Sequence, residues 1–260
     1  MMAGVAIVAL ASCEVSQRDS RSDSAAMDPA TAERYKPASD EGLGVSVAIV
    51  LDNSGSMRDA APGDSRPKSE VAKVAIERTL DATEAALAKR PDYPVNVSLI
   101  LFSSETQTIL AMQPYNRDSV RAAIARLPRP VGGTAIGDAM DEARQALYKA
   151  GTFRKVMLVV TDGENNAGRN PAQVAREIFT RSDGGVGMYF VAFDTDADKF
   201  GFLRDVKGEV VGAQNGAALQ ASLTTLYEGK VLAESAVEPN AVVDSTRRGA
   251  AAKSTPRSLP

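Results

Sequence analysis

Three short stretches of the chain carry oxygen donors at spacings that could do chemistry. Leu51-Asp52-Asn53-Ser54-Gly55-Ser56-Met57 sets a carboxylate and two hydroxyls at alternate positions. An extended turn there presents three oxygens on one side, and Gly55 eases the bend. Gly132-Gly133-Thr134-Ala135 offers a further hydroxyl, and Val159-Val160-Thr161-Asp162-Gly163-Glu164-Asn165 a second carboxylate. Each stretch also has a plain reading: a polar turn, a helix N-cap at Thr134, an Asp-Gly turn. Two counts narrow the chemistry, since the chain has no histidine and a single cysteine. There is no Ser-His-Asp or Cys-His machinery, no imidazole base, no His-bearing zinc site and no internal disulfide. Carboxylates, hydroxyls, lysine, arginine or a hard metal ion must do whatever is done.

The elements that position these stretches follow from periodicity. Residues 45–51, 95–102, 155–161 and 186–193 are continuous apolar runs and read as buried strands. Between them, residues 67–89 place Ala72, Ala75, Ile76, Thr79, Thr83, Ala86 and Leu87 on one face of a helix. Further helices are expected over 117–126, 135–150, 171–181 and 217–227, a short antiparallel edge strand over 106–111, and a last short strand over 209–212. This alternation predicts an α/β fold: a doubly wound, mostly parallel six-stranded sheet, helices on both faces and one antiparallel edge strand. Ligands in such sheets collect beyond the carboxyl ends of the strands, and all three oxygen-bearing stretches fall in loops at that edge.

Asp52-x-Ser54-x-Ser56, Thr134 after a glycine pair and Asp162 in Thr-Asp-Gly together resemble the von Willebrand factor type A (VWA) domain. The metal-ion-dependent adhesion site of that family uses this five-residue set, and all five positions match. The resemblance spans residues 44–232, with 187–193 similar to the family's fifth strand and 203–226 to its closing strand and helix. It implies that Ser54 and Ser56 ligate an ion directly, Thr134 in one of two states, and Asp52 and Asp162 directly or through water. One coordination position is then left for a partner protein's Asp or Glu. An all-oxygen set suits Mg²⁺, with Mn²⁺ or Ca²⁺ as alternatives. Asn53, Met57, Gly133, Gly163, Glu164 and Asn165 are expected to line the rim.

Other motifs carry less. Asp194-Thr195-Asp196-Ala197-Asp198, with Asp205 at the twelfth position, resembles the opening of an EF-hand calcium loop, but Lys199 stands where glycine is needed and a strand precedes it. It reads as a polar loop capping the next helix. Asp138 and Asp141 read as early-turn acids of a helix. The run 132–137 lacks the spacing of a nucleotide fingerprint. A Mg²⁺-assisted hydrolase using Asp52 or Asp162 as base or nucleophile is the competing chemistry, but no second metal cluster, phosphate-cradling loop or paired basic residues accompany these acids. The leading reading is a non-enzymatic, metal-dependent protein-binding module. An assembly or chaperone-like part of an envelope complex is a third.

The composition agrees. With 44% hydrophobic and 24% charged residues the chain is ordinarily globular, and a net charge of −3 gives no global field for nucleic acid or an anionic membrane. Residues 3–12 are apolar, too short to span a bilayer, and end at Leu10-Ala11-Ser12-Cys13, which resembles the bacterial lipobox. Cys13 is then the lipid attachment point, and Glu14 after it favours the outer membrane. The expected organisation is a signal peptide over 1–13, a flexible linker over 14–44 carrying seven acidic and four basic residues, the VWA domain over 45–232 and a disordered tail over 233–260. The expected location is the bacterial cell envelope.

Overall fold

The strand at the centre of the molecule, β1 (Gly42–Asp52), is buried on both faces, which is why its sequence shows no apolar–polar alternation. Val45, Val47, Ile49 and Leu51 face one core with α1 (Lys68–Lys89) and α5 (Gly216–Leu226). Ala48 and Val50 face a second core with α3 (Ile136–Tyr148) and α4 (Pro171–Arg181). The computed structural model describes residues 32–233. Cys13, the proposed signal peptide and residues 234–260 lie outside them.

On one side β1 pairs in parallel with β2 (Val95–Phe102), and β3 (Thr106–Pro114) pairs antiparallel with β2. On the other it pairs in parallel with β4 (Thr152–Thr161), followed by β5 (Val186–Phe193) and β6 (Glu209–Ala213). The six-stranded order is β3-β2-β1-β4-β5-β6, and α2 (Arg117–Ala125) links the edge strand back toward α3. Chain order reverses between β1 and β4. A crevice opens at their carboxyl ends, where Asp52 closes β1 and Asp162 follows β4.

Several boundaries differ from the sequence reading. β3 runs on to Pro114 because it stays paired with β2 as far as Asn96. The last helix continues beyond Leu226 as a π-helical turn, Tyr227–Leu232, held by the buried Tyr227 hydroxyl against Thr83 at 2.7 Å. The larger difference lies in the expected linker. Tyr35 N donates to Arg181 O, Ala38 N to Tyr148 O and Gly42 N to Gly151 O, so this segment lies against the domain. The Tyr35 ring sits under the Arg144 and Arg181 guanidinium groups at 4.5 and 4.1 Å and against the Tyr148 ring at 5.3 Å. Arg34 pairs with Asp183, and Lys155 with Glu41. The Tyr35 ring between two guanidinium groups, the three backbone hydrogen bonds and these ion pairs together dock a segment whose composition is polar. Gly151 adopts φ +67°, and a Cβ there would meet Ser39 Oγ at 2.7 Å. Among the described residues no helix is long and apolar enough to cross a membrane.

Candidate metal centre

Asp52 is fully buried at the end of β1. Its Oδ1 accepts Ser54 N at 2.8 Å and its Oδ2 accepts Thr161 Oγ1 at 2.6 Å, so a hydroxyl from the neighbouring strand fixes the carboxylate plane. Burial pushes this carboxyl up to about 6; the bonds from Thr161 and Ser54 pull it back, and the nearby Asp162 charge raises it further. A 3-10 turn, Gly55–Arg58, curls the chain so that Ser54 Oγ and Ser56 Oγ lie 3.1 Å apart. Ser56 Oγ donates to Asp162 Oδ1 at 2.7 Å. Ser54 Oγ, Ser56 Oγ and Asp162 Oδ1 therefore form a hydrogen-bonded run of oxygens across the crevice, and Asp52 is held beside it through Ser54 N.

Thr134 comes from the loop before α3. Val131 N donates to Asn53 O at 2.8 Å, Gly55 N to Gly132 O at 3.0 Å and Ala135 N to Ser103 O at 2.8 Å, which lays this loop beside the serine turn. Thr134 is not the helix cap: Ala135 holds that position. The cap comes from a distance, as Asn165 Oδ1 accepts Ile136 N at 2.7 Å and Gly137 N at 3.4 Å. Asn166 Oδ1 accepts Thr134 N at 2.7 Å, and Thr134 O takes Asn166 N at 3.0 Å. The two loops can approach because residue 137 is glycine; a Cβ there would stand 2.2 Å from Arg169 O. Thr134 is buried, and among the described residues its hydroxyl has no hydrogen-bond partner.

Lys68 was not singled out from sequence. Its ammonium lies 3.0 Å from Asp162 Oδ2 and 2.7 Å from Asp194 Oδ2, with its side chain 9% exposed. Burial opposes its charge, but the bonds from Asp194 and Asp162 outweigh it, so Lys68 stays above its ordinary value. The sequence did hold a clue: Lys68 opens a helix, where the positive end of the dipole disfavours a cation unless acids await it.

Of the six residues expected on the rim, Asn53 and Met57 are buried. Met57 is wholly buried in the core, and Asn53 is buried with its amide donating to Arg129 O, because the tight turn directs both inward; neither faces a partner. Gly133 N is bonded to Ser104 Oγ, Gly163 is half-buried, Asn165 is committed to capping α3, and Glu164 is exposed and paired with Lys199 at 3.2 Å. Asp194 belongs to Lys68, and Asp196 Oδ1 caps the 3-10 segment Ala197–Val206, so no calcium loop forms there. Asp138 and Asp141 hold the loop before α4: Arg169 N donates to Asp138 Oδ1 at 3.1 Å, and Arg169 lies 3.9 Å from Asp141.

The donor set fits a small hard cation. An octahedral Mg²⁺ with ligands at 2.0–2.1 Å places adjacent oxygens about 2.9–3.0 Å apart. The Ser54–Ser56 and Ser56–Asp162 separations of 3.1 and 2.7 Å bracket that spacing. Among the described residues no group of three or more His, Cys, Asp or Glu side chains could hold a metal by itself, so any ion here depends on hydroxyls as well as carboxylates.

A doubly wound sheet with a hydroxyl- and carboxylate-lined crevice at its switch point defines a class of ligand-binding α/β domain. The chain belongs to the von Willebrand factor type A domain family, whose sequence pattern matches residues 46–220. Members of this family serve as protein-interaction and adhesion modules and are generally non-catalytic. The chain is 27% identical over 138 residues to the uncharacterized protein YwmC of Bacillus subtilis (strain 168), a match covering 51% of this chain and 60% of YwmC. The PilB minor pilin of Streptococcus sanguinis shares the fold with a TM-score of 0.59 at 16% identity, over 73% of this chain and 62% of the pilin. An aerotolerance-related membrane protein of Bacteroides fragilis superposes with a TM-score of 0.52 at 20% identity, over 70% of this chain and 98% of that one.

Proposed function

We propose that the protein is a non-enzymatic, divalent-metal-dependent binding module held at a bacterial envelope through Cys13. The observation that carries this reading is the run of oxygens from Ser54 through Ser56 to Asp162 at hydrogen-bond distances, with the Asp52 carboxylate held beside it by Ser54 N and Thr134 on the adjoining loop. These five side chains would hold Mg²⁺, or Mn²⁺ or Ca²⁺ in its place. The bound ion supplies a Lewis-acidic position for a carboxylate from another protein. Thr161 fixes Asp52, and Asn165 and Asn166 fix the Thr134 loop, so the donors are pre-organised. A single metal–carboxylate bond is modest, and exposed loop residues such as Glu164 supply further contact.

The envelope location draws support from the membrane-protein and pilin relatives and from the lipobox-like Leu10-Ala11-Ser12-Cys13. The test is crosslinking on intact cells with and without divalent metal, using wild type, Asp52→Ala and Cys13→Ser. The expected result is a set of captured proteins lost with Asp52→Ala or in chelator, and release of Cys13→Ser from the membrane fraction. Metal-independent capture overturns the first half of the reading, and membrane retention of Cys13→Ser the second.

A further inference from the structure

Two features of Lys68 call for a reason: a cation in the first turn of α1, and an ammonium withdrawn from water. Both are met by Asp162 and Asp194, which approach the same nitrogen from different loops. Asp162 is thereby divided. Its Oδ1 meets Ser56 Oγ at 2.7 Å, and its Oδ2 meets Lys68 Nζ at 3.0 Å. One carboxylate faces the hydroxyl ladder with one oxygen and a resident cation with the other.

We propose that Lys68 is a built-in competitor of the divalent ion, which keeps metal affinity low by holding Asp162 Oδ2 and by cancelling one negative charge beside the site. This rests on the metal-binding reading above. Two unit charges a few ångströms apart interact strongly where water is partly excluded, and this pair is nearly buried. Asp194 sets how much of the ammonium falls on Asp162. It shares Lys68 at 2.7 Å while its own side chain is 34% exposed, so it draws the cation toward the loop after β5. Removing Lys68 should therefore tighten metal binding, and removing the Asp194 charge should weaken it. If Lys68 served only to brace the fold, both changes would loosen the site and weaken binding.

The experiment is calorimetric titration of MgCl₂ into chelator-treated wild type, Lys68→Met, Lys68→Arg and Asp194→Asn, with thermal unfolding in EDTA alongside. Lys68→Met is expected to bind Mg²⁺ about tenfold more tightly while unfolding earlier without metal, because Asp162 and Asp194 lose their counter-charge. Lys68→Arg keeps the charge and should stay within about threefold of wild type. Asp194→Asn should weaken binding severalfold; should Lys68→Met fail to fold, Lys68→Gln, which removes the charge but keeps a hydrogen-bond donor for Asp162 and Asp194, takes its place and is expected to bind Mg²⁺ more tightly than wild type. Unchanged or weaker Mg²⁺ binding by a folded Lys68→Met, or unchanged or tighter binding by Asp194→Asn, overturns the proposal. Absence of saturable Mg²⁺ uptake by wild type instead sinks the metal-binding reading, and this proposal with it.

Discussion

Burial in the crevice disfavours the Asp52 anion. It titrates near 6 in the fold against 3.8 for an ordinary aspartate, so between those pH values the folded chain holds the proton more firmly than the unfolded one. Stability of the metal-free protein therefore falls as pH rises from about 4 to about 6, by on the order of 2–3 kcal/mol, and stays low above that. Asp52→Asn removes the buried charge. In EDTA at pH 7.5 it should melt several degrees above wild type, with the gap closing toward pH 4 and no Mg²⁺ response at any pH. Scanning calorimetry across that range checks it; a wild-type advantage in EDTA at neutral pH would contradict it. That Asp52, Ser54, Ser56 and Asp162 come together at one edge of the sheet was legible, because their types and spacing at strand ends are unusual together. Lys68, Asn165 and Asn166 were not, because their partners lie on other loops and a lone lysine or asparagine reads as solvated surface.

Among the elements, α3 depends on a neighbour for its start. With Ala135 at its N-terminus it has no side-chain cap of its own, and Asn165 supplies one from the loop after β4. Asn165→Ala should cost about 1–2 kcal/mol of stability. It should also weaken Mg²⁺ binding severalfold by freeing the Thr134 loop. Chemical denaturation and metal titration on the same sample read both, and a stability loss without an affinity change would separate the cap from the site. The four long strands and the helices declared themselves through continuous apolar runs and 3.6-residue spacing. The far end of β3 did not, since edge residues such as Gln113 and Pro114 carry little apolar pattern and are held by pairing with β2. The inward turn of Met57 was hidden for a similar reason: only the 3-10 curl tells which way an apolar residue in a polar loop faces.

For the whole molecule, the docked segment from Arg34 to Gly42 is the feature that composition concealed. Its polar, charged residues read as a solvated linker, whereas Tyr35 between Arg144 and Arg181 fastens it to α3 and α4. Tyr35→Ala should lower stability by about 1–2 kcal/mol and open the preceding chain to protease, leaving Mg²⁺ affinity unchanged because the niche lies at the other end of the sheet. Limited proteolysis with and without Mg²⁺ checks this, and a changed Kd would contradict it.

The same arrangement bears on mechanical load. β1 receives the incoming chain at Gly42 and delivers Asp52 to the crevice, with parallel partners along both edges. Pulling between the upstream polypeptide and a ligand gripped at the crevice would run lengthwise down this central strand, so two hydrogen-bond ladders would have to shear together rather than unzip one rung at a time.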